Sequence, residues 1–122
     1  MTYTIPCIPP SMNKYKGRSN VWEYRRDKDE WEQRVSAYCR PRPQKPIARC
    51  VLTITYYFPT RIRHDPNNYD GQFLTDGLVK AGIITDDSFD VLDLVLRGDY
   101  DKKHPRTVID ILQIPAEEGG RK

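Results

Sequence analysis

The sequence predicts an α/β (α+β) fold: a single mixed β-sheet of about four strands, covered by two helices. One observation behind this is the β-α-β-α-β-β order of the patterned segments, which are separated by turns rich in Pro, Gly and Asp. The other is size, because 122 residues suit one domain with one core. We expect that domain to cover residues 1–115 and a frayed tail to cover residues 116–122.

The first half of the chain predicts one strand and one helix. Tyr3–Pro6 is patterned as a short strand, which ends before a Pro-rich turn. Aromatic and apolar side chains recur at helical spacing from Trp22 to Tyr38. Three prolines in the basic segment 40–46 prevent that helix from continuing.

The second half predicts a strand, a helix and two further strands. Cys50–Phe58 alternates β-branched and aromatic residues between two faces. Tyr69–Ala81 has a helical apolar stripe, and Gly82 is placed as its C-cap. Val91–Tyr100 and Arg106–Ile114 are the last strands, joined by a polar turn.

Composition excludes several classes of protein. No apolar run approaches the ~20 residues of a membrane helix, and the first ten residues lack the features of a signal peptide. The chain has three cysteines, an odd number, and none of them has CxxC spacing: Cys7, Cys39 and Cys50. Neither a disulfide framework nor a zinc cluster is therefore indicated. We expect a reduced, cytoplasmic setting.

Charge is distributed unevenly along the chain. Residues 1–63 hold 13 basic and 5 acidic side chains, whereas residues 64–122 hold 7 basic and 12 acidic ones. Such asymmetry can mark a surface that binds a polyanion beside an acidic site. Two solvated surfaces whose charges mix in the fold would give the same counts.

Carboxylates are concentrated around the second predicted helix. Nine of the twelve aspartates fall between Asp65 and Asp101, and Asp65 and the pair Asp86–Asp87 lie in the loops that flank the helix. Carboxylates gathered from separate loops suit Mg²⁺, which takes oxygen ligands. Aspartate is also common in turns and at helix N-caps, so each of these residues has a structural alternative.

Two separated motifs make the pattern more specific, one in the opening segment and one that spans segments 61–69 and 76–88. Segment 61–69 reads RIRHDPNNY, segment 76–88 reads DGLVKAGIITDDS, and the opening segment 5–15 reads IPCIPPSMNKY. This string resembles the RusA family of Holliday-junction resolvases, which have a Pro-Pro-Ser-x-Asn opening, a basic run, Asp-x-Asp-Asn, a helix with a lysine near its start, and a Lys-Ala-Gly turn before Asp-Asp. The resemblance extends to about Val91.

The resemblance implies a crossover junction endodeoxyribonuclease of DNA recombination and repair, over residues 1–115. Such an enzyme is a homodimer that binds four-way DNA and nicks two strands with Mg²⁺, or with Mn²⁺ in its place. Asp65 matches the first aspartate of Asp-x-Asp-Asn. Asp87 matches the acidic ligand of the Asp-Asp pair, and Asp86 is its neighbour.

Two positions depart from the family pattern and predict weak activity or none. Asn67 stands where the family has its second aspartate, and Gln72 is the nearest match to the helical lysine. Asparagine can ligate a metal through its carbonyl oxygen, but it adds no negative charge. Glutamine lacks the positive charge with which lysine binds a phosphate. Asp70 is a candidate substitute ligand.

Basic residues near both motifs are candidate DNA contacts, because cations supply most of the affinity for a phosphate backbone. They are Lys14, Lys16, Arg18, Arg61, Arg63 and His64. Two rival functions stay open. One is a catalytically weakened family member that binds branched DNA without cutting it, and the other is an interaction protein for acidic partners without DNA preference.

Overall fold

The computed structural model describes residues 1–16 and 21–115 and contains the predicted elements in the predicted order. Two short 3₁₀ turns, Met12–Tyr15 and Pro66–Asn68, lie in segments predicted as loops. The tail 116–122 lies outside the described residues. The helices and strands are β1 Thr2–Ile5, α1 Val21–Tyr38, β2 Cys50–Phe58, α2 Gln72–Lys80, β3 Leu92–Tyr100 and β4 Arg106–Gln113.

The four strands form one mixed sheet in the order β1-β4-β2-β3. β4 pairs antiparallel with both β1 and β2, whereas β2 and β3 are parallel and are joined by α2 as their crossover. The parallel register runs from Cys50 opposite Leu92 to Phe58 opposite Tyr100. The mixed sheet of the prediction is therefore confirmed.

One face of the sheet carries the core. Along β2 every second residue is buried, beginning with Cys50 and ending with Phe58, as the alternating pattern predicts. Ile109 of β4 lies opposite Ile54 on this face and is also fully buried. Trp31 and Val35 of α1 belong to the same core cluster.

Helix α2 begins three residues later than predicted. The 3₁₀ turn Pro66–Asn68 comes first, with Tyr69 as its C-cap, and the Asp70 carboxylate then accepts the backbone N–H of Gln72 at 3.0 Å. Gly71 between them has φ of 80°, a conformation that favours glycine. The C-terminus follows the prediction: Gly82 has φ of 76°, and the N–H of Ile83 reaches back to the carbonyl of Leu78 at 2.9 Å.

Two further findings concern membrane-spanning helices and the cysteines. Across residues 1–16 and 21–115, no helix is long and apolar enough to cross a membrane. Cys7, Cys39 and Cys50 are all free thiols, and burial raises the pKa of the Cys39 thiol to about 12.

Candidate functional site

The loop that follows β2 folds back over the end of its own strand. The imidazole of His64 stacks on the ring of Phe58 with centroids 3.7 Å apart and planes 3° from parallel. Tyr69 meets both rings edge-on, at 5.0 Å from Phe58 and 5.6 Å from His64. These aromatic contacts fix the position of the intervening residues, including Asp65.

The turn Met12–Tyr15 is held to α1 by a buried carboxylate. Lys14 Nζ lies 2.8 Å from Asp27 Oδ2, and the Tyr15 hydroxyl donates to the same oxygen at 2.7 Å. Burial favours the neutral acid, but the Lys14 and Tyr15 hydrogen bonds outweigh it and lower the pKa of Asp27. Tyr15 also packs edge-on against Phe73 of α2.

The two turns contact each other and enclose one open groove. Ser11 and Asn13 line one side of this groove, and Arg63, Asp65 and Asn68 line the other. The Pro-Pro-Ser-x-Asn opening and the acidic loop are about 50 residues apart in sequence, yet the fold brings them to one place. This groove is the candidate site.

Asp65 is the carboxylate of the groove. Its side chain makes no capping hydrogen bond to the 3₁₀ turn that follows it, although its backbone carbonyl accepts the N–H of Asn68 at 2.9 Å. One carboxylate oxygen instead accepts Arg63 Nε at 2.9 Å, a bond that raises the pKa of the arginine. The turn therefore forms without the Asp65 side chain, whose carboxylate stays 44% exposed at the groove.

Asn68 is a site residue that the sequence analysis did not single out. Its Oδ1 is buried and has no hydrogen-bond partner within the described residues. Buried polar atoms are nearly always paired, so this oxygen is a candidate acceptor for a water or a cation. The signal was available, because Asn68 occupies the last place of the Asp-x-Asp-Asn pattern.

The two departures from the family pattern, Asn67 and Gln72, are both exposed. Asn67 is exposed at the centre of the 3₁₀ turn. Gln72 donates from Nε2 to Asp76 Oδ1 at 3.0 Å, which turns its amide along the helix surface. Asp70 precedes the N-cap Gly71 of α2 and accepts the backbone N–H of Gln72. Burial raises the pKa of the Tyr56 phenol, and the Asp70 carboxylate adds to that rise.

Asp86 and Asp87 are exposed in the loop that leads into the start of β3. Asp86 Oδ1 accepts the backbone N–H of Asp87 at 2.9 Å, a local turn bond. The Asp65 loop leaves the other end of the parallel pair, after Phe58. Among residues 1–16 and 21–115, no three His, Cys, Asp or Glu side chains are grouped to hold a metal ion.

The groove offers oxygen donors of the kind that Mg²⁺ takes. Asp65 supplies a carboxylate and Asn68 an unpaired carbonyl oxygen, and both line the same surface. Mg²⁺ keeps several waters and is often held by one or two carboxylates together with substrate phosphates. The donor set thus fits a hydrated ion held in part by its substrate.

The predicted DNA-binding cations have unequal environments. Arg63 is 88% exposed at the groove, and Arg61 lies over the Tyr100 ring with its guanidinium carbon 4.0 Å from the centroid. Lys16 is exposed beyond the first turn, whereas Lys14 is bound to Asp27. Arg18 lies outside the described residues.

The chain matches no protein-family model, and no curated protein matches it significantly.

Proposed function

We propose that the chain is a Mg²⁺-dependent endonuclease that binds and nicks four-way DNA junctions, with weak activity. One observation carries the proposal. The RusA-like opening and the RusA-like acidic loop line a single groove, in which Asp65 presents a partly exposed carboxylate beside the exposed cation Arg63. The reaction class is phosphodiester hydrolysis, in the setting of recombination and repair in the cytoplasm.

The residues at and near the groove would have different roles in such a reaction. Arg63 would contact a phosphate at the groove, and Asp65 with Asn68 would hold Mg²⁺ beside it. Arg61 would contact the backbone from outside the groove, where it lies over the Tyr100 ring.

Asn67 would add a neutral oxygen from the exposed side of the turn. When bound, the ion would activate water and stabilise the charge on the leaving oxygen. The family pattern also assigns Asp86 and Asp87 to the site; within one chain they lie at the opposite end of the β2–β3 pair from Asp65, so a second copy in the homodimer would have to bring them to the groove.

A second candidate is a junction-binding protein that has lost most of its cleavage activity. Two observations favour it. Asp76 holds the amide of Gln72, and Asn67 brings no charge to the turn. Asn67 in place of an aspartate lowers the affinity of the groove for a divalent cation, and Gln72 in place of a lysine lowers its affinity for a phosphate. The basic residues that bind DNA are left in place.

The test uses the purified chain and a labelled synthetic four-way junction. Mg²⁺-dependent nicks placed symmetrically on two strands support the nuclease, and Ca²⁺ in place of Mg²⁺ serves as a binding-only control. Selective binding without cleavage supports the second candidate. Equal affinity for junction and linear duplex at moderate salt contradicts both, because a purely electrostatic binder has little structural selectivity.

A further inference from the structure

An aromatic cavity lies at the carboxyl end of the parallel pair β2–β3, next to the groove. Its volume is about 100 Å³, and aromatic and apolar residues form most of its lining: Tyr56, Phe58, His64, Tyr69, Leu96 and Gly98. Asp65 lines it as well, and His64, Asp65 and Tyr69 also line the groove. The cavity therefore adjoins the groove at the residue that would hold Mg²⁺.

Gly98 leaves this cavity open on the β3 side. It has no positive φ, so its backbone conformation does not require glycine. A Cβ at Gly98 would lie 3.5 Å from Cε2 of Phe58, which is ordinary contact, so a larger side chain would extend into the cavity. A glycine within a strand often marks a place where a ligand approaches closely.

Each of the two surfaces that adjoin the cavity carries an exposed arginine. Arg63 lines the groove, and its side chain is 88% exposed. Arg61 lines a second cleft, which shares Phe58, His64 and Gly98 with the cavity. A DNA strand that follows these surfaces would meet a cation before and after the cavity, and cations are the usual contacts of phosphates.

We propose that the aromatic cavity receives one unstacked nucleobase of the DNA strand whose phosphate lies at Asp65. The inference rests on the proposed function, because it places a phosphate in the groove. Every base has a flat π face that stacks on aromatic side chains with little regard to sequence. An enclosed apolar cavity of about 150 Å³ holds benzene, so this open cavity admits one base with part of it outside.

The backbone of Gly98 offers hydrogen bonds to such a base. The carbonyl of Val91 accepts the N–H of Cys50, and the N–H of Asp101 donates to the carbonyl of Phe58, so odd-numbered residues direct these groups toward β2. Because the direction alternates along a strand, Gly98 directs its N–H and C=O outward. No strand within residues 1–16 and 21–115 pairs with that edge. An adjacent donor and acceptor match the pairing edge of an unpaired base.

A four-way junction supplies such a base at a lower cost than a linear duplex. Unstacking costs least for a base that has already lost its pair, and strands leave their duplex at the exchange point of a junction. The cavity would therefore contribute to selectivity for branched DNA. Contacts to phosphates alone carry little selectivity of this kind.

The test measures binding in Ca²⁺, separately from cleavage. The protein is titrated with four-way junctions that each carry one abasic nucleotide, placed in turn at every position near the exchange point. At one position the parent should lose affinity about tenfold, as for one lost base stack. Gly98→Val fills the cavity, so it should lose a similar factor on the intact junction and nothing further with the abasic nucleotide at that position.

Two further variants control the measurement. Gly98→Ala should give a smaller loss with the same pattern, and it keeps the test available if Gly98→Val does not fold by circular dichroism. Val95→Leu is the matched control, because Val95 lies on the same strand but on the opposite face, outside the cavity lining. It should respond to the abasic nucleotide as the parent does. Additive losses in the Gly98 variants, or a parent that no abasic position affects, overturn the proposal.

The outcomes separate this proposal from the nuclease. Coupling between Gly98 and one nucleotide in Ca²⁺, without nicks in Mg²⁺, supports the cavity and contradicts the nuclease. Symmetric nicks in Mg²⁺ without that coupling support the nuclease and overturn the cavity. Equal affinity for junction and linear duplex overturns both.

Discussion

The ammonium of Lys14 lies 2.8 Å from the buried carboxylate of Asp27, so a cation predicted to contact DNA holds the fold of the groove together. The Asp27 side chain is only 9% exposed, and Tyr15 donates to the same oxygen. This arrangement ties one wall of the groove to α1. The position of Ser11 and Asn13 therefore depends on a residue far from the acidic loop.

Replacing Asp27 should lower the stability of the protein and make that stability less dependent on pH in the acid range. Asp27→Asn removes the charge that pairs with Lys14, and we expect a loss of about 1–3 kcal/mol in the free energy of unfolding at neutral pH. Because the pKa of Asp27 is lowered in the fold, its contribution is present above about pH 4 and is lost as pH falls through the folded pKa. Urea unfolding at several pH values measures both effects.

The parent and the variant should thus approach each other in stability on acidification. Asp101, whose pKa is lowered by its Arg106 and backbone hydrogen bonds, is present in both proteins and cancels in the comparison. A stability difference that stays constant down to about pH 2 would contradict the assignment.

Asp65→Asn should abolish cleavage of a four-way junction. Junction binding should stay intact or become tighter, because the loss of a carboxylate reduces repulsion of the phosphates. Asp29→Asn, at an exposed carboxylate of α1, is the matched control and should cut like the parent. Gel assays of binding and cleavage on one junction measure both. Unchanged cleavage by the Asp65 variant would remove this residue from the site.

Asn67→Asp should raise Mg²⁺-dependent cleavage, on the order of 10²-fold for an electrostatic group of this kind. Gln72→Lys should add less alone, because Asp76, which now accepts the Gln72 amide, would pair with the new lysine. Adding Asp76→Asn to the double change should release that lysine and give the fastest variant. Time courses that stay at the parent rate with intact binding would place the site elsewhere.

Arg63→Ala should weaken junction binding and lower the slope of log affinity against log salt by about 1, as for one lost phosphate contact. Lys45→Ala removes an exposed cation from the linker 40–46 and should leave the slope unchanged. Titrations between about 50 and 200 mM salt measure the slope. An equal loss in both variants would indicate a response to net charge alone.

Gly77→Ala should destabilise the protein although alanine favours helices. A Cβ at Gly77 would lie 2.8 Å from Val35 Cγ2, and Val35 is fully buried in α1. Overpacking of this kind costs about 1–3 kcal/mol. Val35→Ala should offset part of the cost when combined with Gly77→Ala, and thermal unfolding of the three variants measures the coupling.

Local patterns predicted the elements of this fold well. β2 begins and ends where the alternation of Cys50–Phe58 indicates, since Pro59 follows directly and one face is continuously apolar. Gly82 ends α2 as predicted because its positive φ is a local requirement. The predicted start of α2 at Tyr69 is too early, because the positive φ of Gly71 and the Asp70–Gln72 hydrogen bond set the start at Gln72, one residue before the apolar stripe begins at Phe73.

Contacts between segments that are distant in the chain could not be predicted from the sequence. The insertion of β4 between β1 and β2 depends on tertiary pairing, which no local pattern encodes. The meeting of the two motifs at the groove depends on the aromatic packing of His64 and on the Lys14–Asp27 pair. The resemblance pointed to the acidic pair as well, yet it could not tell that Asp86 and Asp87 are attached at the start of β3.

The position of β4 in the sheet also constrains how the chain acquires its structure during synthesis. β4 follows every other strand in sequence, yet it lies between β1 and β2, so β1 has no neighbour until β4 has left the ribosome. Until then β1 and the β4-facing side of β2 are unpaired edges, which can associate with other chains. Pairings this distant also fold slowly. A nascent chain of this protein therefore exposes unpaired strand edges for longer than a helical bundle of equal length would.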